Sequence, residues 1–159
     1  MHSENETLNG IQAAEPSDFR EKLDARQLAG FAIEAVHRVQ PGSSTFHRDG
    51  KFFSRSMLFT LLTYCYATGV YASTDIEEAI RDDETVRYLC ACVFPDFEDI
   101  RQFRRRNAPE LKECLIQLFS ILSDHSDGHF DKYADWELIT EAERRLRIAI
   151  QADSMAMDF

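Results

Sequence analysis

Between Ser54 and about Thr68, the residues Met57, Leu58, Phe59, Leu61, Leu62, Tyr64, Cys65 and Tyr66 leave no polar face. A helix that is apolar all round belongs at the centre of a bundle. Ser54 supplies an N-cap for it and Gly69 a C-cap. The flanking patterns are amphipathic. Ser17, after Pro16, caps a helix predicted to run to about Val39, with Phe19, Leu23, Leu28, Phe31, Ile33 and Val36 as a broad stripe. Gly30 weakens that helix or permits close packing. Beyond Asn107, Pro109 suits a first helical turn. Leu111, Cys114, Leu115, Leu118, Phe119 and Leu122 then recur at three and four, a face for a core or a dimer seam. Asp135 caps a last helix from Trp136 to about Ala152. Its apolar side is Leu138, Ile139, Ala142, Leu146, Ile148, Ala149 and Ile150. Its basic residues Arg144, Arg145 and Arg147 can be neutralised by Glu141 and Glu143.

Three shorter helical patterns fill Ser73 to Asn107. Thr74 and Glu77 form a capping-box signature. Asp83 caps Glu84–Ala91, with Val86, Leu89 and Cys90 inward. Pro95 stops what precedes it, and Asp96 caps Phe97–Arg106. Helices this short must pack on one another. The last ends in Arg104-Arg105-Arg106, and a helical trio with an arginine-rich final member has the layout of a helix-turn-helix DNA reader. At about 100° per residue, Phe97, Ile100 and Phe103 share the core arc, while Arg101, Gln102, Arg105 and Arg106 face outward. Arg104 projects at the edge of the apolar arc, placed for an ion pair with an acid such as Glu78 or Asp82 or for a DNA contact. Cations at a helix C-terminus also suit the helix dipole. Thr45–Phe53, TFHRDGKFF, reads as a loop with an Asp-Gly turn signal. There His47, Arg48, Lys51 and Arg55 interleave with aromatics, either as a second phosphate patch or as a solvated loop.

The run from about Phe46 to Leu122 resembles the N-terminal domain of bacterial insertion-sequence transposases of the DDE type. FSRSMLFTLLTYCYATGVYAST, DIEEAIRDDETVRYLC, FPDFEDIRQFRRRN and a leucine-rich helix carry the likeness, in order and spacing. It implies a DNA-binding or DNA-end-recognition module. In full-length members a ribonuclease-H-like domain with three metal-holding carboxylates follows. The 37 residues after Leu122 look helical and too few for such a domain, so a stand-alone, non-catalytic relative is expected.

Composition sets the limits. A chain of 159 residues, 44% hydrophobic with 12 Phe, 6 Gly and 4 Pro, fits one mostly helical domain. No signal-peptide pattern is visible in the N-terminal residues and no membrane span is predicted, and Cys65, Cys90, Cys92 and Cys114 sit in apolar patterns as expected of reduced thiols, so a cytoplasmic protein is expected. Cys90-Ala91-Cys92 is not a zinc spacing. Asp124, His125, Asp127, His129 and Asp131 cluster without matching a calcium loop, so a surface loop is expected there rather than a metal site. No enzyme constellation and no cofactor motif emerges. The net charge is −10, unevenly spread: residues 45–106 hold 9 basic and 10 acidic side chains, residues 107–159 hold 5 and 11. About four phosphate contacts would give a salt slope of only about −3.6.

The expectation is an all-α bundle of about six helices: a disordered tail over 1–15, a helical domain over 16–152 and a C-terminal tail over 153–159. The expected function is a non-catalytic, transposase-derived DNA-binding protein that recognises insertion-sequence ends or regulates transposition. Arg101, Gln102, Arg105 and Arg106 would contact double-stranded DNA, with Arg48, Lys51 and Arg55 gripping its backbone. A homodimer or a full-length transposase would be the protein partner. The alternative is a helical interaction or dimerisation module that has lost DNA binding, supported by the acidic tail and Glu98.

Overall fold

In the computed structural model, residues 23–39, 44–91, 93–125 and 134–157 are described. They form α1 (Ala25–Val39), β1 (Thr45–Arg48), β2 (Lys51–Ser54), α2 (Arg55–Ala67), α3 (Ser73–Asp82), α4 (Glu84–Leu89), α5 (Phe97–Arg106), α6 (Ala108–Asp124) and α7 (Asp135–Met157). The fold is mostly α.

Helix α2 is its axis. Every residue from Leu58 to Ala67 is buried, as a sequence without a polar face requires. The Ser54 side chain accepts from the Met57 N–H and starts the helix. Gly69, at φ +81°, ends it. The Val70 N–H reaches back to the Cys65 carbonyl at 2.9 Å, closing a Schellman motif. Two hydroxyls bond locally: Thr60 within the helix and Thr68 at its C-cap donate to the carbonyls of Ser56 and Tyr64. Around α2, α1 packs chiefly on α6, α6 also on α7, and α3 touches both α4 and α5. Phe103 of α5 meets Phe59 of α2 and Phe46 of β1 edge-on, with ring centroids 4.8 and 5.4 Å apart.

Four expectations are revised. The predicted loop at 45–53 is a β-hairpin. Asp49 and Gly50, at φ 49° and 76°, form the tight turn that Asp-Gly favours between right-twisted strands. Phe46 pairs with Phe53, both inward, and His47 with the exposed Phe52. Helix α3 starts at Ser73 behind Ala72 and has no side-chain N-cap, because an acid from α7 takes that position. Phe97 is exposed on α5 while Asp99 and Arg104 are buried. Helix α7 runs past Ala152 to Met157, so Asp153 is a buried helical residue and not part of a tail. Three caps agree with expectation: Asp83 on α4, the Asp96–Asp99 capping box on α5, and proline in the first turn of α6.

Cys65, Cys90 and Cys114 are buried free thiols. Burial pushes the Cys90 and Cys114 thiols up to about 12, which keeps them protonated. Among the described residues no group of three or more His, Cys, Asp or Glu is placed to hold a metal, and no helix is long and apolar enough to cross a membrane. His125 lies against Phe31 with the rings tilted by 50° and their centroids 4.6 Å apart. Asp127, His129 and Asp131, with residues 1–22 and Cys92, lie outside the described residues.

Leu62 is fully buried on α2. Leu62→Asp is expected to abolish soluble folding. It forfeits about 1.5–3 kcal/mol of burial and adds an uncompensated buried charge. Leu62→Met is expected to cost less than about 1.5 kcal/mol. Melting curves of both check this.

Candidate nucleic-acid interface

The predicted contacts fall into two groups. Arg48 and Lys51 lie on either side of the hairpin turn, which holds them over the N-terminus of α5. Arg48 donates to Asp99 at 2.8 Å, and Lys51 to Asp99 at 2.8 Å and Asp96 at 3.0 Å. These are the two acids of the α5 capping box, each also bonded to the other's backbone N–H. Asp99 is fully buried, so it needs such partners. Arg55 holds the other end of α5. It donates to Ser44 Oγ at 3.1 Å and to Asn107 Oδ1 at 2.6 Å, and lies over the Phe59 ring. Asn107 is the C-cap of α5. The residues expected to grip a DNA backbone therefore clamp α5 at both ends.

On α5, Arg101 is ion-paired with Glu98 one turn earlier. Arg104 is 3% exposed and paired with Asp153 of α7. Its ion-pair partner is thus an acid 49 residues away, and neither Glu78 nor Asp82. Gln102, Arg105 and Arg106 keep outward positions. Gln102 is half-buried, while Arg105 and Arg106 are exposed and have no carboxylate partner among the described residues. Arg106 lies over the Phe46 ring, 5.7 Å from its centroid.

Two buried charges of α7, absent from the expected contacts, organise this region. Asp153 accepts from the Ser73 N–H and from Ser73 Oγ, both at 2.7 Å, besides pairing with Arg104. A carboxylate at the N-terminus of α3 is where the helix dipole favours it. Two turns earlier, Arg145 (1% exposed) donates to the Tyr66 and Ala67 carbonyls at 2.8 and 3.1 Å. These are orphan acceptors at the C-terminus of α2. Glu141 neutralises Arg145 at 2.8 Å, and the guanidinium lies over Phe119. One helix thus places a cation on the end of α2 and an anion on the start of α3. A signal was present: at 100° per residue, Leu138, Ala142, Arg145, Leu146, Ala149 and Asp153 share an arc of about 100°. Charges inside an apolar stripe of this kind mark buried ion sites.

Residues 37–106 match a family model described as Transposase domain (DUF772). That stretch is transposase-related. No curated protein and no solved structure matches the chain. The transposase-related segment runs from the end of α1 to the end of α5, so it contains the hairpin, the clamped helix and the arginine triplet. Helices α6 and α7, with Arg145 and Asp153, lie beyond it.

Titration follows the geometry. Burial disfavours ionised Asp96, but bonds from the Asp99 N–H and Lys51 outweigh it and hold its carboxyl below the usual range. Hydrogen bonds to Asp99 and then Asp96 hold Lys51 above its own usual range, and Asp99 does the same for Arg48. A depressed acid stabilises the fold above its unfolded value, about pH 4, and loses that contribution as pH falls. A raised lysine stabilises it fully below about pH 10 and loses the contribution as pH rises further. The melting-temperature gap between wild type and Lys51→Met is therefore expected to be open from about pH 5 to 9 and to close toward pH 3. A gap unchanged at pH 3 would show that the clamp does not operate. Asp153→Ala, which strands the Arg104 charge, is expected to cost about 3–5 kcal/mol in urea unfolding, with partial recovery in Asp153→Ala/Arg104→Met.

Proposed function

We propose that this chain is a transposase-derived, non-catalytic helical module that works through protein–protein contact. One observation carries the reading: most of the cations that would have met DNA are spent on the fold. Arg48, Lys51, Arg101 and Arg104 face carboxylates, and Arg55 faces Asn107. Of the cations expected to contact DNA, Arg105 and Arg106 alone stay exposed without a carboxylate among the described residues, on a chain of net charge −10. Two phosphate contacts give a salt slope of only about −1.8. The buried acids Asp99 and Asp153 are matched to cations of the same fold, which suits structural anions and not free metal ligands. An apolar face is open as well. Ile33, Tyr88, Val93 and Phe94 are exposed, and exposed apolar patches mark partner sites.

A second reading rests on Gln102, Arg105 and Arg106, which share the outer side of α5. In that reading they touch double-stranded DNA at insertion-sequence ends, and the module modulates a full-length transposase. One titration separates the two. Fluorescence anisotropy on duplexes from the surrounding genome, at about 150 mM salt, is expected to show no binding tighter than the non-specific range of about 10⁻⁴–10⁻⁶ M. Tighter binding that Arg105→Glu/Arg106→Glu abolishes, with the melting curve unchanged, would overturn the proposal in favour of DNA.

A further inference from the structure

We infer that the face built by α1 and α4 is a two-fold interface between two copies of this chain. The inference names a partner for the interaction-module reading and rests on it.

Two adjoining hollows share Ile33, Glu84 and Tyr88. The larger, about 910 Å³, is floored by Met57 and Leu89 and walled by Phe94; the smaller, about 440 Å³, opens over Ala29 and Gly30. Tyr88 stands between them as a knob, 73% exposed. Gly30 is the hole. It lies mid-helix on α1, where glycine costs roughly 1 kcal/mol relative to alanine. A Cβ built there meets nothing within 4 Å, so no neighbour within the described fold requires glycine. Its absent side chain leaves room for a ring arriving from outside. A closed two-fold interface needs knob and hole on one surface, since each copy must offer both.

The charges fit the same partner. Arg26, Glu84 and Arg87 border the hollows and have no ion-pair partner among the described residues. A two-fold arrangement sets the arginines of one copy against Glu84 of the other. With two cations and one anion, this face escapes the acidity that makes the chain as a whole repel itself at net charge −10. The apolar area suits a modest dimer. At 73% and 52% exposed, Tyr88 and Phe94 together offer about 200–300 Å². That is about a third of the ~800 Å² per partner in a standard interface.

Sedimentation equilibrium of the full chain over a wide concentration range tests this, beside melting curves. The wild-type mass is expected to rise from 18.4 kDa toward twice that value. Tyr88→Ala removes the knob and Gly30→Leu fills the hole; both are expected to stay monomeric with the fold intact, Gly30→Leu without loss of melting temperature. A wild type that remains monomeric throughout, or variants that associate as wild type does, would overturn the inference. Either result leaves the DNA titration to decide the broader reading by itself.

Discussion

Asp153 is the tie on which the arrangement of the described helices depends. Its carboxylate receives the first N–H of α3, the Ser73 hydroxyl and the Arg104 guanidinium. A buried carboxylate is costly unless its oxygens are filled. Here the donors come from α3 and α5, so satisfying the charge fixes both helices against α7. Arg145 repeats the logic with opposite sign at the end of α2. Both charges meet helix ends of the polarity that favours them. The turn joining α2 to α3 is thereby held from both sides by one helix.

The same economy governs α5. Its N-terminus is pinned by Arg48 and Lys51, its C-terminus by Arg55 through Asn107, and its inner edge by Arg104. A helix so fixed is well placed to present a surface. Its fixing nonetheless consumes the cations that a nucleic acid would need. Positive charge is available to a phosphate only where carboxylates have not already claimed it, and around α5 they have claimed Arg48, Lys51, Arg101 and Arg104. On that distribution of charge rests the proposal of a protein partner in place of DNA.

The transposase-related segment accounts for the central helices but not for what closes them. Both buried charges of α7 come from beyond residue 106, the end of the family match. The segment's own Arg104, Ser73, Tyr66 and Ala67 depend on them for partners. The C-terminal helix is therefore an integral part of this fold. Its acidity, which the linear charge balance assigns to a tail, is partly spent in the interior.

Local chemistry alone decided a good deal. The apolar helix from Ser54, the caps at Asp83 and Asp96, the extent of α5, the Gly69 stop and the Pro109 start each depend on a few neighbouring residues, and their sequence carries the needed information. The Asp-Gly turn was legible too, but four-residue strands become strands only when they find each other. Tertiary structure alone decided the destination of the charges. Arg48 and Arg55 each have sequence spacings that suit a DNA contact as well as an ion pair. Their partners lie 51 and 52 residues away. Arg145 reaches 79 residues back to α2, and Asp153 80 residues back to α3. Long-range electrostatic pairing depends on where folded helices bring their ends, and no periodicity along the chain encodes that.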